Sequence, residues 1–417
     1  MNMEPFRFVH AARLMLDHQL HGTGPIAEKL RPIVRDATIG AWENVVDLCL
    51  AEQVDLLLLT GESIVPRDQS LRGPGALIRG LERLSELDIP VVIAAGASDP
   101  WDAWPGGFRF PANVVRLGID VADELPITRD GRLLAYVRGD RDAYRSESSD
   151  APWLLKLPAG REYPFNICVS PGLHQAYADS ASDASENRAQ YRAIGGGPDS
   201  RTVVEKKNFI HDPGPAQAIR PLETGPRGCS LITVDESGSL HRRFVPTAPV
   251  RFEQLSISVT PEHTRDDLLL DMIGALERVP RHESDKVWLL AWNVLGSGPW
   301  LDRLADEEAR AELLAALAEE SPVGGVAMLS HAVRVYPHTP VAQGIEGEDE
   351  LLATFREHLL ERATRTPGLL EQCFDDSPVR GGPWEPALGS LIPELDADEV
   401  VHGALRTSPR WFTAEEE

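Results

Sequence analysis

The sequence predicts an α/β protein assembled from three stretches of chain. The first hundred residues alternate β-type runs with helical periodicity. A middle stretch, from about residue 165 to 247, holds short β-type runs and turn signals. Near residue 251 the alternation of strand and helix restarts. At about 100–200 residues per domain, 417 residues make two or three domains.

The elements follow in order. Phe6 to Ala12 (FRFVHAA) is a short β-type run. Val34, Ile39, Trp42, Val45, Val46, Leu48 and Cys49 then recur at three- and four-residue steps, the spacing of one helix face. Val54 to Thr60 (VDLLLLT) is a near-continuous apolar run, suited to a strand buried on both faces. Leu77, Ile78, Leu81, Leu84 and Leu87 mark a second helix, and Ile89 to Gly96 (IPVVIAAG) a third strand. Strand, helix, strand, helix, strand implies parallel pairing through right-handed crossovers. In such sheets chemistry gathers on the loops that leave the carboxyl ends of the strands. Those loops are ARLMLD (residues 12–17), GES (61–63) and GASD (96–99).

Residues 140–164 are rich in Ser, Asp, Arg and Pro and read as a surface loop, and 178–187 as a loop or a poor helix. Four β-type runs follow, at 165–170, 202–210, 229–235 and 241–247, with Asp235 to Gly238 as a hairpin turn. From Arg251 the pattern is strand (252–259), helix (264–278), strand (286–294), helix (306–319) and strand (326–335). Past Pro340 the chain is acidic and helical, most clearly at 348–364. The expected divisions are residues 1–250, 251–338 and 339–417.

Composition narrows the function. Hydrophobic residues are 42% and charged residues 25%, which excludes wholesale disorder. Lys plus Arg number 41 against 65 Asp plus Glu, a net charge of −24. A surface that grips phosphates needs clustered cations, so free-standing nucleic-acid binding is disfavoured. The longest apolar run, Val54 to Thr60, is far below the about 18 residues of a membrane span. The first ten residues lack the pattern of a secretory signal. Cys49, Cys168, Cys229 and Cys373 are scattered, neither a disulfide framework nor a zinc site. A cytoplasmic protein with reduced thiols is expected.

Taken together and in order, FRFVHAARLMLD, the 29-residue stretch RDATIGAWENVVDLCLAEQVDLLLLTGES, IPVVIAAGASDP, YRAIGGGPD and DPGPAQAIRPLETGPRGCSLITVD resemble the SbcD-type DNA repair exonucleases, in their YhaO-like subgroup. These belong to the calcineurin-like metallophosphoesterase superfamily. WLLAWNVLGSGPWLDRL is similar to that family's capping domain. The resemblance implies a metallophosphoesterase sandwich of mixed sheets flanked by helices, then a small α/β capping domain and a helical C-terminal tail. It also implies two divalent cations, typically Mn, that bind phosphate and activate a water.

At the positions that the resemblance assigns to ligands, this chain has other residues. Arg13 and Met15 stand for the first Asp and His. Glu62 stands for the bridging Asp, Ala97 for the Asn and Ser98 for the His beside it, with Asp99 next in that loop. Pro171 stands for a further His, and Gly196 and Pro198 for the last two imidazoles. A guanidinium has no lone pair to give, and a thioether is a soft ligand, poor for Mn or Mg. Glu62 alone keeps a hard donor. No cofactor is therefore expected. Arg13 is expected to take the cation's place by pairing with Glu62 or Asp99 within about 4 Å. The plain alternative leaves both side chains in solvent.

Other residues have bland readings beside sharp ones. Asp17, His18 and His21 form either a relocated metal site or a surface cluster, and His174 could restore one ligand if the alignment shifts. His10 reads as a packed strand-end histidine, His211 and Asp212 as turn residues, and Asp99 as a cap for the next helix. Gln217 and the run Glu223 to Pro226 read as a structural turn. Trp288, Trp292 and Trp300 read as core, and Lys206 and Lys207 as a solvated edge. The leading functional expectation is a catalytically degenerate homologue acting as a scaffold or regulatory subunit. The resemblance implies a coiled-coil ABC-type ATPase as partner, docked on the segment after the capping domain, and a possible homodimer. The rivals are a phosphoesterase with a rebuilt metal site and a DNA-binding module that does not cut.

Overall fold

Alternation along the strands decides which side chains face which layer. In β1 (Phe6–Ala11), Phe6 and Phe8 point to one side, Val9 and Ala11 to the other. In β2 (Leu56–Thr60), Leu56 and Leu58 follow the first pair, Leu57 and Leu59 the second. Both faces are buried, which is why the run carries no polar alternation. The structure is a computed structural model; it describes residues 3–120, 125–139, 165–171, 189–205, 208–320 and 325–337, with a few isolated positions beyond.

The first sheet has the order β12-β11-β1-β2-β3-β4. Here β3 is Val91–Ala94, β4 Val114–Arg116, β11 Gly228–Val234 and β12 Leu240–Pro246. β1 to β4 are parallel, while β11 runs antiparallel to β1 and β12 to β11. One face of this sheet packs on helices α2 (Ala37–Glu52) and α3 (Arg72–Ser85), while the short α1 (Arg31–Arg35) before them places Val34 in a separate core. Its other face meets a second sheet, ordered β5-β6-β7-β8-β10-β9. Those strands are β5 (Leu125–Arg129), β6 (Arg132–Gly139), β7 (Asn166–Pro171), β8 (Tyr191–Gly195), β9 (Arg201–Glu205) and β10 (Asn208–Asp212). The architecture is a mixed α/β one, with sheets flanked by helices.

A third sheet, β13 (Val250–Val259), β14 (Val287–Gly296) and β15 (Ala327–Pro337), carries the helices Arg265–Arg278 and Glu307–Glu320. Trp288 and Trp292 are fully buried in it. Val250, Phe252, Val287 and Leu289 share a core with Leu30, Val34, Ala37 and Ala218, so apolar packing runs across the expected boundary at residue 250. The chain divides into two compact units, Met1–Tyr336 and Pro337–Glu417. The helix expected at 348–364 lies outside the described residues, apart from helical positions at Thr354, Phe355, His358 and Leu359. No helix among the described residues is long and apolar enough to cross a membrane.

Several expectations are corrected. The run 202–210 is two antiparallel strands, β9 and β10, because a β-type run has the same composition whether it stays straight or doubles back. Lys206 and Lys207 lie outside the described residues. Leu87 does not join the apolar face of α3. It lies past the helix end and is 56% exposed, and the turn at Asp88 (φ 53°) delivers Ile89 to the core instead. The β5–β6 hairpin was not anticipated, although Asp130-Gly131, both with positive φ, is a strong hairpin signal.

α2 and α3 cross where Trp42 lies over Gly80. A Cβ on Gly80 would stand 2.4 Å from the Trp42 indole nitrogen. Gly80→Ala is expected to destabilise the chain by about 1–3 kcal/mol, through overpacking, read as a lowered midpoint in urea.

Candidate functional site

Because β1, β2 and β3 are parallel, the loops after them emerge side by side. The first two are laced together by their backbones: Arg13 N–H donates to the Gly61 carbonyl (3.1 Å), Met15 N–H to Glu62 (2.9 Å) and Leu16 N–H to Ser63 (3.1 Å). The lacing holds an unusual shape. Arg13 (φ 46°), Met15 (43°), Asp17 (64°) and Glu62 (53°) are all left-handed without being glycine. Such residues cost about 1–3 kcal/mol each and persist only where their surroundings over-determine them.

Asp99, fully buried, is one of those surroundings. Its carboxylate accepts N–H groups from Gly96 (2.7 Å), Glu62 (2.9 Å), Ser63 (2.8 Å) and Ile64 (3.4 Å). Burial pushes its pKa up to about 6, against the pull of those donors. This corrects the expected role: Asp99 does not cap the helical turn at Trp101–Ala103, which has no side-chain cap, but fastens the loop after β2. Gly96 is required beside it, since a Cβ there would lie 2.8 Å from Glu62 N and 2.9 Å from Asp99 Oδ1.

Arg13 is the centre of the site, with its side chain only 7% exposed. Its Nε donates to Glu62 Oε2 at 2.9 Å, its Nη1 to the Gly197 carbonyl at 3.3 Å, and Nη1 and Nη2 both reach Glu223 Oε1 at 3.5 Å. Met15 Sδ lies 3.8 Å from Nη2, and Ser98, otherwise exposed, donates its hydroxyl to Glu62 Oε1 at 3.0 Å. Ala97 is exposed beside it. Asp99 lies outside this ion pairing and bonds to backbone instead. Gly196 (φ 103°) opens the loop after β8, and its neighbour Gly197 is anchored by N–H donation to Asp212 Oδ2 at 2.9 Å. Pro198 offers its carbonyl to Arg227 Nη1 at 2.8 Å, and the same nitrogen pairs with Asp199 at 2.7 Å. Pro171 ends β7 opposite Gly195.

Glu223 is the member that sequence reasoning missed. It stands in the run that reads as a structural turn, yet it is buried, accepts from Ile219 N at 2.8 Å and pairs with both Arg13 and Arg220. A buried acid 210 residues away from its partner leaves no local signal. His211 and Asp212 are likewise corrected from turn residues to buried members of β10. Asp17 accepts from Ser70 and pairs with Arg72 at 3.0 Å, while His18 pairs with Asp68 at 2.7 Å. His18 and His21 rings stand 5.2 Å apart. His174 lies outside the described residues.

The donor set does not fit a pair of divalent cations. Among the described residues at the loops, Arg13 brings a guanidinium, Met15 a thioether and Ser98 a hydroxyl, while the Glu62 and Glu223 carboxylates are engaged by Arg13 and that of Asp99 by backbone N–H groups. A fixed positive charge there repels a cation. Among the described residues, no group of three or more His, Cys, Asp or Glu is placed to hold a metal ion.

No family model matches the chain. It is 25% identical over 264 residues to the uncharacterized metallophosphoesterase YhaO of Bacillus subtilis, covering 61% of this chain and 63% of that protein. The chain thus spans less than two thirds of the length of that relative. Solved structures with a likeness to it include a dimetal phosphatase from Danio rerio (10% identity, TM-score 0.33, covering 55% of this chain and 93% of that one). Another is YfcE, a phosphoesterase from E. coli (12% identity, TM-score 0.25, covering 57% and 98%). At such scores these likenesses carry no weight of their own. The expectation that no cofactor belongs here is nevertheless corrected. The curated relative is a metallophosphoesterase, so a metal is the cofactor implied for the protein this chain is similar to. By sequence, the chain is similar to a metallophosphoesterase over about three fifths of its length.

Proposed function

We propose that this protein is a catalytically degenerate, SbcD-like metallophosphoesterase homologue, serving in the cytoplasm as a scaffold or regulatory subunit. One observation supports this above the others. A buried guanidinium, Arg13, is seated between Glu62 and Glu223 at the loops where phosphoesterase chemistry would act. Charge that a metal-dependent enzyme borrows from its cations is here fixed in the chain. The proposed role is with a coiled-coil ABC-type ATPase in DNA repair or processing, docked on residues 339–417. A chain of net charge −24 suits a basic protein surface better than a phosphate backbone.

The test is a phosphodiesterase assay of the full chain with Mn²⁺, on a bis-p-nitrophenyl ester and on duplex DNA ends. Turnover at the level of buffer alone is expected. Turnover that Glu62→Ala abolishes overturns the proposal and favours a second reading, an active phosphoesterase with divalent cations in a rebuilt site. That reading is favoured by the class of the curated relative. Co-purification of a coiled-coil ATPase with the full chain, lost on removal of residues 339–417, tests the partner.

A further inference from the structure

Beneath the loops, the two sheets of the sandwich meet through polar side chains that are wholly buried. His10 of β1, Thr60 of β2, Tyr191 of β8, His211 of β10 and Ser230 of β11 are each 0% exposed. His10 Nδ1 lies 2.8 Å from the Tyr191 hydroxyl, and its Nε2 lies 2.8 Å from Thr60 Oγ1. Thr60 in turn donates to the Ile194 carbonyl at 3.3 Å. A hydroxyl has one proton to give. That of Thr60 goes to Ile194, so Thr60 accepts from His10 Nε2–H, and His10 Nδ1 accepts from Tyr191.

The second ring is set the opposite way. His211 Nδ1 stands 3.1 Å from the Arg201 carbonyl, which only accepts, and 2.8 Å from Thr202 Oγ1. Nδ1 therefore carries the hydrogen, and Nε2 accepts from Ser230 Oγ at 2.8 Å. The two rings are 5.7 Å apart at 77°. Both are neutral, in opposite tautomers, and each free lone pair is taken by a buried hydroxyl. A proton added to either ring reverses that hydroxyl and leaves its hydrogen to find another acceptor inside the core. It also sets a charge beside the other ring.

These residues sit at the roots of the site. His10 precedes the loop holding Arg13, Thr60 the loop holding Glu62, Ile194 the loop holding Gly197, and His211 the segment leading to Glu223. The sheets touch here so closely that a Cβ on Gly195 would fall 2.0 Å from the Thr60 carbonyl oxygen.

We infer that His10 and His211 form an acid-operated latch, which ties the two sheets together at the roots of the four loops while neutral and releases them when protonated. Burial favours the neutral state. It holds His10 well below the usual imidazole range, helped by the nearby His211, and lowers His211 to about 3, helped by Arg242. Facing the pair are Tyr191, on which Arg242 of β12 and Asp212 of β10 act. A histidine depressed in the folded chain contributes stability above about pH 6.5, and loses it as pH falls toward the folded value. The inference concerns how the loops are held and is independent of whether the site turns over a substrate.

The experiment has two readouts on the full chain. Two-bond ¹H–¹⁵N spectra of histidine-labelled protein are expected to show two neutral rings of opposite tautomer that persist at pH 5.5. Urea unfolding between pH 7.5 and 5 then gives the energetic effect. Each ring adds up to a tenfold fall in the folding constant per pH unit below about 6.5. His10→Gln and His211→Gln should each remove their own share. An imidazolium at either position in the folded protein at pH 5.5, or an undiminished slope in both variants, overturns the latch. The spectra are read on the unaltered chain, so they decide the matter even where a variant fails to fold.

Discussion

Arg13→Met is expected to destabilise the protein by about 3–5 kcal/mol, the cost of stripping the partner from buried charge. Two carboxylates lose their cation at once, Glu62 at 2.9 Å and Glu223 at 3.5 Å, and Glu223 is buried. Arg220 remains against Glu223 but is itself 41% exposed, so its support is screened by water. The Gly197 carbonyl also loses a donor, which frees the loop after β8. Pairing Arg13→Met with Glu62→Gln and Glu223→Met is expected to recover most of the loss. A buried ion pair replaced whole by apolar groups is often neutral or stabilising. Urea midpoints of the single and triple variants measure both effects. Equal loss in the two would mean that the residues act by packing and not by charge.

Asp99→Ala is expected to cost about 3 kcal/mol or more. It leaves N–H groups of Glu62, Ser63, Ile64 and Gly96 without an acceptor in a buried place, and each orphaned donor costs about 1–3 kcal/mol. Glu62 would then lose the restraint on its left-handed backbone, so the Arg13 pair should loosen too. Asp99→Asn keeps one acceptor and should cost less. Its comparison with the natural residue also has a pH signature. Asp99 is raised from 3.8 to about 6 in the folded chain, so the fold binds its proton more tightly than the unfolded chain does. The lead of Asp over Asn should therefore widen as pH falls from about 6 toward 4, opposite in sign to the histidines. Melting curves of both chains across that range read it directly.

What was legible in the sequence follows from what is local. The parallel core of β1, β2 and β3 is written in short runs of apolar residues, and the loops after them in the order of their residues. Arg13, Met15, Glu62, Ala97 and Ser98 could be placed because each loop is anchored to its own strand. Glu223 could not, because its burial depends on Arg13 arriving from the far end of the domain. Asp99 was placed in the right loop but given the wrong task. A carboxylate that follows a strand looks like a helix cap when the neighbouring loop's N–H groups are out of view. The hairpins β5–β6 and β9–β10 were missed for different reasons. The first carries its signal in the Asp130-Gly131 turn, and the second lies within one continuous β-type run, where composition alone does not show that the chain doubles back.

The seclusion of Arg13 from solvent has a consequence for ionic strength. Mobile salt ions shield charges only where they can approach them. The pairs at the rim, such as Arg83–Asp47 and Arg132–Glu4, are open to such shielding. Arg13, with 7% of its side chain in contact with water, and Glu223, with 5%, are not. In molar sodium chloride the surface of this strongly acidic chain should lose its long-range repulsion while the loop cluster keeps its grip. The two ranges of electrostatics in the molecule, one spread over its exterior and one closed within its loops, are therefore separable by salt alone.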